Sequence, residues 1–365
     1  MKTSFNSSLS VQSSLLAAMS KAQKDLVQAN KEVTTGVHAD MGVALAEKTA
    51  RSLDLSRDVL RIETQKTSNS VATNRLDNSD KALADMSSAA QQVQAALTSL
   101  TGSTQTLGSL QQSINNAINL FTDRANTAVG GEYLFAGTNT DIKPMASYTE
   151  AGSTFSQAVD DELNQYLSSN GIASASAMTP AQMSSFLSDL KDKFDGKTML
   201  TDPPHAGMAG KDFWSTYVSN ASDTNMTSRI SSTEVVQTST NANDPAFRNF
   251  MFGSVIATKF LTEAIPSDVR SVVAASATNA IGRANNPGSG IIALRSALGL
   301  SAERVKVAND SLDAQKKIID THLNDLQGVD AYEASTRVSS LKALLEAAYT
   351  LTSRIQQLSL VNYLR

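Results

Sequence analysis

The sequence predicts a mainly α-helical protein: a long antiparallel helical bundle or coiled coil formed by both termini, with a mixed α/β central domain inserted between them. Three observations predict it. All seven prolines fall between Pro144 and Pro287, so both ends lack the residue that breaks a helix interior at a cost of ~3 kcal/mol. Aromatic residues avoid the same regions, with none between Phe5 and Phe121 or between Phe260 and Tyr332. Apolar residues recur at alternating spacings of three and four, the signature of helices that pack along a seam.

Near the start, Phe5, Leu9, Gln12, Leu16, Met19, Leu26 and Val33 share one heptad phase. A longer seam begins with Ile62, Ala72 and Leu76, with polar breaks at Gln65, Asn69 and Ser79. It continues without a slip through Leu83, Met86, Ala90, Val93, Leu97, Leu100, Thr104, Leu107, Gln111, Ile114, Ile118 and Phe121. The spacing predicts helices over 56–100 and 104–129, interrupted near Gly102 and Gly108. Residues 145–245 change character, with turn signals at Asn170-Gly171, Asp195-Gly196 and Asp202-Pro203-Pro204. Helical patterns there cover 153–167 (Phe155, Val159, Leu163, Tyr166) and 181–194, and Phe213, Trp214 and Tyr217 supply a core.

Beyond the insert, Leu298, Val305, Ala308, Leu312, Ile319, Leu326 and Val329 form another stripe, with Ser301 as a candidate N-cap and Gly328 as a stop. Leu341, Leu344, Ala348, Leu351, Ile355 and Leu358 form the last. The expected domains are 1–40 with 330–365, 41–144 with 246–329, and the insert 145–245.

Composition argues against chemistry. The net charge of -4 leaves no basic footprint for nucleic acid and no polybasic patch for a membrane. The chain has no cysteine, which excludes disulfides, thiolate metal ligands and thiol nucleophiles. The start shows Ser and Asn where the apolar core of a cleaved signal would lie. Gly288-Ser289-Gly290-Ile291-Ile292-Ala293 matches a dinucleotide-binding pattern, but it follows a turn rather than a strand. His38, His205 and His322 are far apart, with His322 on a helical seam position. The acidic runs Asp160-Asp161-Glu162 and Asp189, Asp192, Asp195 read as solvated faces. No enzyme activity, metal or cofactor is expected.

The terminal stripes are thin. A buried Leu contributes ~1.5–3 kcal/mol, while ordering each residue costs ~1 kcal/mol or more. The tails are therefore expected to be stable only where neighbouring copies add further burial.

The segment GGEYLFAGTNTD, Gly130 to Asp141, resembles the signature of the hook-associated protein 3 branch of the flagellin family. Its Tyr133, Leu134, Phe135 and Gly137 match the YLF-G-T core. The ending SRIQQLSLVNYLR, Ser353 to Arg365, resembles the same branch, and KEVTTG, Lys31 to Gly36, resembles the close of the family's N-terminal helix. The segment after that glycine, Val37 to Leu55, departs from the family's RIN-S-x-x-DDP-like loop and lacks its Asp-Asp pair.

The resemblance implies a secreted, extracellular flagellar subunit at the hook–filament junction, exported through the type III apparatus. It implies self-assembly into a ring or short helical array, with a neighbouring hook-associated protein and flagellin as partners. An export chaperone would hold the C-terminal helix. The expected interface residues are Phe5, Leu9, Leu16, Met19 and Leu26 with Leu341, Leu344, Leu351, Ile355, Leu358 and Leu364. The alternative within the family is the main filament subunit, and Asn362-Tyr363-Leu364 favours the junction branch. An enzyme in the central domain would require a motif such as H-E-x-x-H, which the sequence lacks.

Overall fold

A computed structural model describes residues 8–101 and 106–363. The chain divides into two compact units, 1–64 with 310–365, and 65–309. Two long helices, α3 (Thr49–Thr101) and α9 (Ile291–Gln327), contribute to both.

The first unit holds α1 (Ser8–Thr35), the short α2 (Met41–Leu45) and α10 (Ala331–Tyr363). Helix α1 stops at Gly36, whose φ of +72° suits a residue without a side chain. Helix α9 stops at Gly328, where a Cβ would lie 2.5 Å from the Asn324 carbonyl. The two stops meet. Val37 bridges Gly328, the His38 N–H donates to the Gln327 carbonyl at 2.9 Å, and the Val329 N–H donates to the Gly36 carbonyl at 3.0 Å. In the segment 37–55, Asp40 caps α2 by accepting from the Val43 N–H.

In the second unit the long seam does not run straight. Helix α4 (Leu107–Ala125), capped by Thr106, lies antiparallel to α3, with Arg124 Nε 2.7 Å from Asp85 Oδ2. Apolar positions of both helices enter one buried core, and Thr104 lies outside the described residues. The expected helix to 129 ends at Ala125, because β1 (Ala128–Val129) pairs with β2 (Glu132–Tyr133). Gly130 and Gly131, both at positive φ, make that two-residue turn.

Helices α5 (Thr154–Ser169) and α6 (Pro180–Phe194) form where the periodicity places them. Ser153 caps the first, and a Thr179/Gln182 capping box starts the second. Helices α7 (Pro245–Phe260) and α8 (Ser267–Ala284) pack closely at Gly253, where even a methyl group would press on Ile281 and Ala280. The hairpin of β3 (Thr227–Arg229) and β4 (Val235–Gln237) completes the unit. One buried core runs from Leu76 to Ala308. It is filled by Phe155, Phe194, Phe213 and Trp214 of the insert and by Phe247, Phe250 and Phe252 of α7. Phe194 of the insert packs edge-on against Phe252 of α7 at 5.6 Å and Phe186 against Phe260 at 5.8 Å, so insert and bundle share their aromatic packing.

Three local expectations are corrected. Ser301 lies inside α9, which begins at Ile291, so it caps nothing. His322, expected to be a packed or interface histidine, is exposed, so it is not packed within the chain. Glu162 is buried rather than solvated: it binds His205 Nε2 at 2.9 Å and pairs with Lys193. A helix face can carry a charge inward when partners from elsewhere in the chain meet it, and those partners are invisible to local periodicity.

Candidate functional site

The site begins with the pairing of α1 and α10. Glu32 meets Arg337 at 3.3 Å, the Gln23 amide donates to the Tyr349 hydroxyl at 2.7 Å, and Thr352 reaches the Met19 sulfur. These pairs fix an antiparallel arrangement. On α1 the buried line is Met19, Ala22, Ala29 and Glu32, with Leu26 half-buried. On α10 Ala334 and Leu345 are buried, and Val338, Leu341, Ala348 and Thr352 are half-buried. The α10 positions step four, three, four, three, four, as an antiparallel coiled coil requires. The small alanines let the backbones approach, which is how two thin helices pair within a single chain.

Much apolar surface remains uncovered. Of the seventeen large hydrophobic side chains exposed among the described residues, eleven lie in the first unit, although it holds only about a third of the chain. They include Leu16, Val27, Val33, Leu344, Tyr349 and Leu351 on the paired helices, with Leu53, Leu60 and Ile318 on α3 and α9. Exposed apolar surface concentrated in one part of a molecule marks an association surface.

Of the expected interface residues, the structure places Met19 in the α1–α10 seam, with Leu26 and Leu341 half-buried along it. Leu16, Leu344 and Leu351 point outward and are 53, 54 and 47% exposed. Leu9, Ile355 and Leu358 fall within the helices, but their side chains lie outside the described residues, as do Phe5 and Leu364 altogether. Sequence reasoning missed Ala22, Ala29 and Ala334 because it followed the larger side chains, and Leu345 because it followed the adjacent line through Leu344. The signal was a second 3–4 line one notch away.

The segment 130–141 is held from below by Arg75. Its guanidinium donates to Glu132 at 3.0 Å and to the Tyr133 carbonyl at 2.9 Å. Burial lowers the Arg75 pKa, and Glu132 opposes that fall. Leu134 and Phe135 are fully buried, and Phe135 packs on Phe247. Gly137 has φ +63°, and a Cβ there would lie 2.4 Å from the Ser222 carbonyl. The matching positions are therefore a packed corner, with Tyr133 half-buried.

The polar breaks in the α3 seam also gain a role. Asn69, fully buried, donates to the Ile230 carbonyl at 3.0 Å and to Asn309 at 2.7 Å, and Gln65 donates to the Arg229 carbonyl at 2.7 Å. These side chains hold the β3–β4 hairpin. Among the described residues no group of three or more side chains is arranged to hold a metal, and no helix is long and apolar enough to cross a membrane.

An antiparallel pair of terminal helices with uncovered apolar flanks, and no cluster arranged for chemistry among the described residues, is the architecture of a helical structural protein. Residues 7–140 match the bacterial flagellin N-terminal helical region, and residues 279–364 match the bacterial flagellin C-terminal helical region. Together these cover more than half of the chain, which belongs to the flagellin family. It is a structural component of the bacterial flagellum, exported to the extracellular organelle, where family members self-assemble with other flagellar proteins. No curated protein matches the sequence. A solved structure described as a flagellar hook-associated protein from Vibrio parahaemolyticus is similar over 77% of this chain and 97% of that one, at 11% identity and a TM-score of 0.49. At that score the likeness carries no argument, and the assignment rests on the two terminal matches.

Proposed function

We propose that this chain is the junction subunit joining the flagellar hook to the filament, polymerising through its terminal helices. The observation that carries the assembly reading is the clustering of exposed apolar side chains on the first unit. The YLF-G-T segment at Tyr133 to Thr138 and the Asn362-Tyr363-Leu364 ending support the junction branch over the main filament subunit. In this reading no covalent chemistry is needed. The α1–α10 pair supplies one wall of the contact, and neighbouring copies cover Leu16, Leu344 and Leu351.

Labelled protein located on intact flagella tests the position. A label confined to the hook end is the expected result, and a label along the filament makes the chain the main filament subunit. The surface has its own test. Leu351→Asp leaves the seam intact, so the variant should keep its far-UV circular dichroism as a monomer yet fail to assemble, scored by motility and by electron microscopy. A motile strain carrying it would remove the outer face from the contact.

A further inference from the structure

A groove of about 580 Å³ runs between α6 and α8 in the second unit, with Phe252 of α7 among its lining residues. Three cations converge on it: Lys191 and Lys197 from the α6 end, and Arg283 from the last turn of α8. Only two carboxylates accompany them, and both are already engaged. Asp195 pairs with Lys191 and also lies 3.1 Å from Lys197, while Asp192 lies 3.2 Å from Lys197. Arg283 is exposed, and its guanidinium has neither a hydrogen bond nor an ion pair among the described residues. Burial pushes the Lys191 pKa down, the bond and charge of Asp195 oppose that fall, and the nearby Lys197 and Arg283 charges add to it. A helix C-terminus favours a cation at Arg283. It does not account for the convergence of that cation with Lys191 of α6 and Lys197 just beyond the end of α6.

The rest of the lining is hydroxyl and amide. Ser188, Ser276 and Asn279 face the groove without partners in the described residues, and Lys191 lies 5.7 Å from the centre of the Phe252 ring. An unpaired guanidinium presents a planar fork suited to a carboxylate or another oxyanion. Neutral donors and acceptors beside it suit a ring bearing hydroxyls, and the volume is that of a small-ligand site. We propose that this groove binds an acidic saccharide unit, its carboxylate on Arg283 and its hydroxyls on Ser188, Ser276 and Asn279. The site lies wholly within residues 184–283 and does not depend on the junction reading.

Ligand-observed magnetic resonance titration of the full chain with glucuronate, glucose and inorganic phosphate tests it. Glucuronate should bind at least about tenfold more tightly than glucose, because one charge-assisted bidentate contact is lost in the neutral sugar. Arg283→Gln should remove that preference, and Asn279→Ala should weaken both sugars. Both positions are exposed, so an unchanged thermal melt serves as the folding control. Equal binding of glucose and glucuronate, or full binding by Arg283→Gln, overturns the proposal. Phosphate bound as tightly as glucuronate also overturns it, since the hydroxyl contacts would then contribute nothing.

Discussion

Single residues fix the corners of this molecule. Gly130 and Gly137 both have left-handed backbone, but only Gly137 faces other backbone, with a Cβ 2.4 Å from the Ser222 carbonyl. Gly130→Ala should cost about 1 kcal/mol, from the left-handed conformation alone. Gly137→Ala should cost at least about 2–3 kcal/mol, since strain and the clash add. Urea denaturation of the two monomeric variants measures the difference, and equal losses would mean that the 222–224 segment moves aside freely. Asp244 offers a pH test. It caps α7 by accepting from the Ala246 N–H at 2.8 Å, and burial raises its pKa above the ordinary 3.8, against that bond and Arg248. A carboxyl raised on folding contributes stability that is present below 3.8 and lost as pH rises through the folded value. Asp244→Asn keeps an acceptor at the cap without the charge. The stability of the variant relative to the parent chain should therefore rise as pH goes from 3 to 6, a window of about three pH units around the carboxyl range. Parallel stability profiles would exclude Asp244 as a source of pH dependence.

At the scale of elements, the α1–α10 seam depends on small side chains. Ala29 is 1% exposed, so Ala29→Leu forces the helices apart and should cost about 1–3 kcal/mol without altering the outward face. Hydrogen exchange along α1 reads it, and unchanged protection would mean that the seam has slack. This is also where sequence reasoning reached its limit. Helix positions were legible because proline, glycine and the 3–4 spacing act locally. Gly36 and Gly328 end their helices as expected, and the insert's two helices lie where the pattern sets them. The inward line on α10 was not legible, because the adjacent lines share Leu341 and Ala348 and differ by one notch. Choosing between them requires knowing the partner. The fold-back between α3 and α4 was hidden for a related reason: an unbroken 3–4 pattern describes two facing helices as well as one straight helix. Glu162 shows the same limit for polar groups, since Lys193 and His205 reach it from 31 and 43 residues away.

For the whole molecule, the aromatic packing sets an order of stability. The core around Phe121, Phe194 and Trp214 lies entirely in the second unit, and the first unit relies on alanine, leucine and a few polar links. Limited proteolysis of dilute monomer should remove the first unit's chain ends before the second unit is cut, leaving a fragment near 65–309 visible by mass spectrometry. Simultaneous loss of both units would show that they unfold as one.

The antiparallel pairing of the outermost helices has a further consequence, in time rather than space. Met19 and Thr352 touch across 333 positions of sequence. Closing so long a loop is slow, and neither helix can rehearse the contact alone. Whichever end of the chain emerges first from a narrow passage, it stays single until the other follows, so the clasp shuts last.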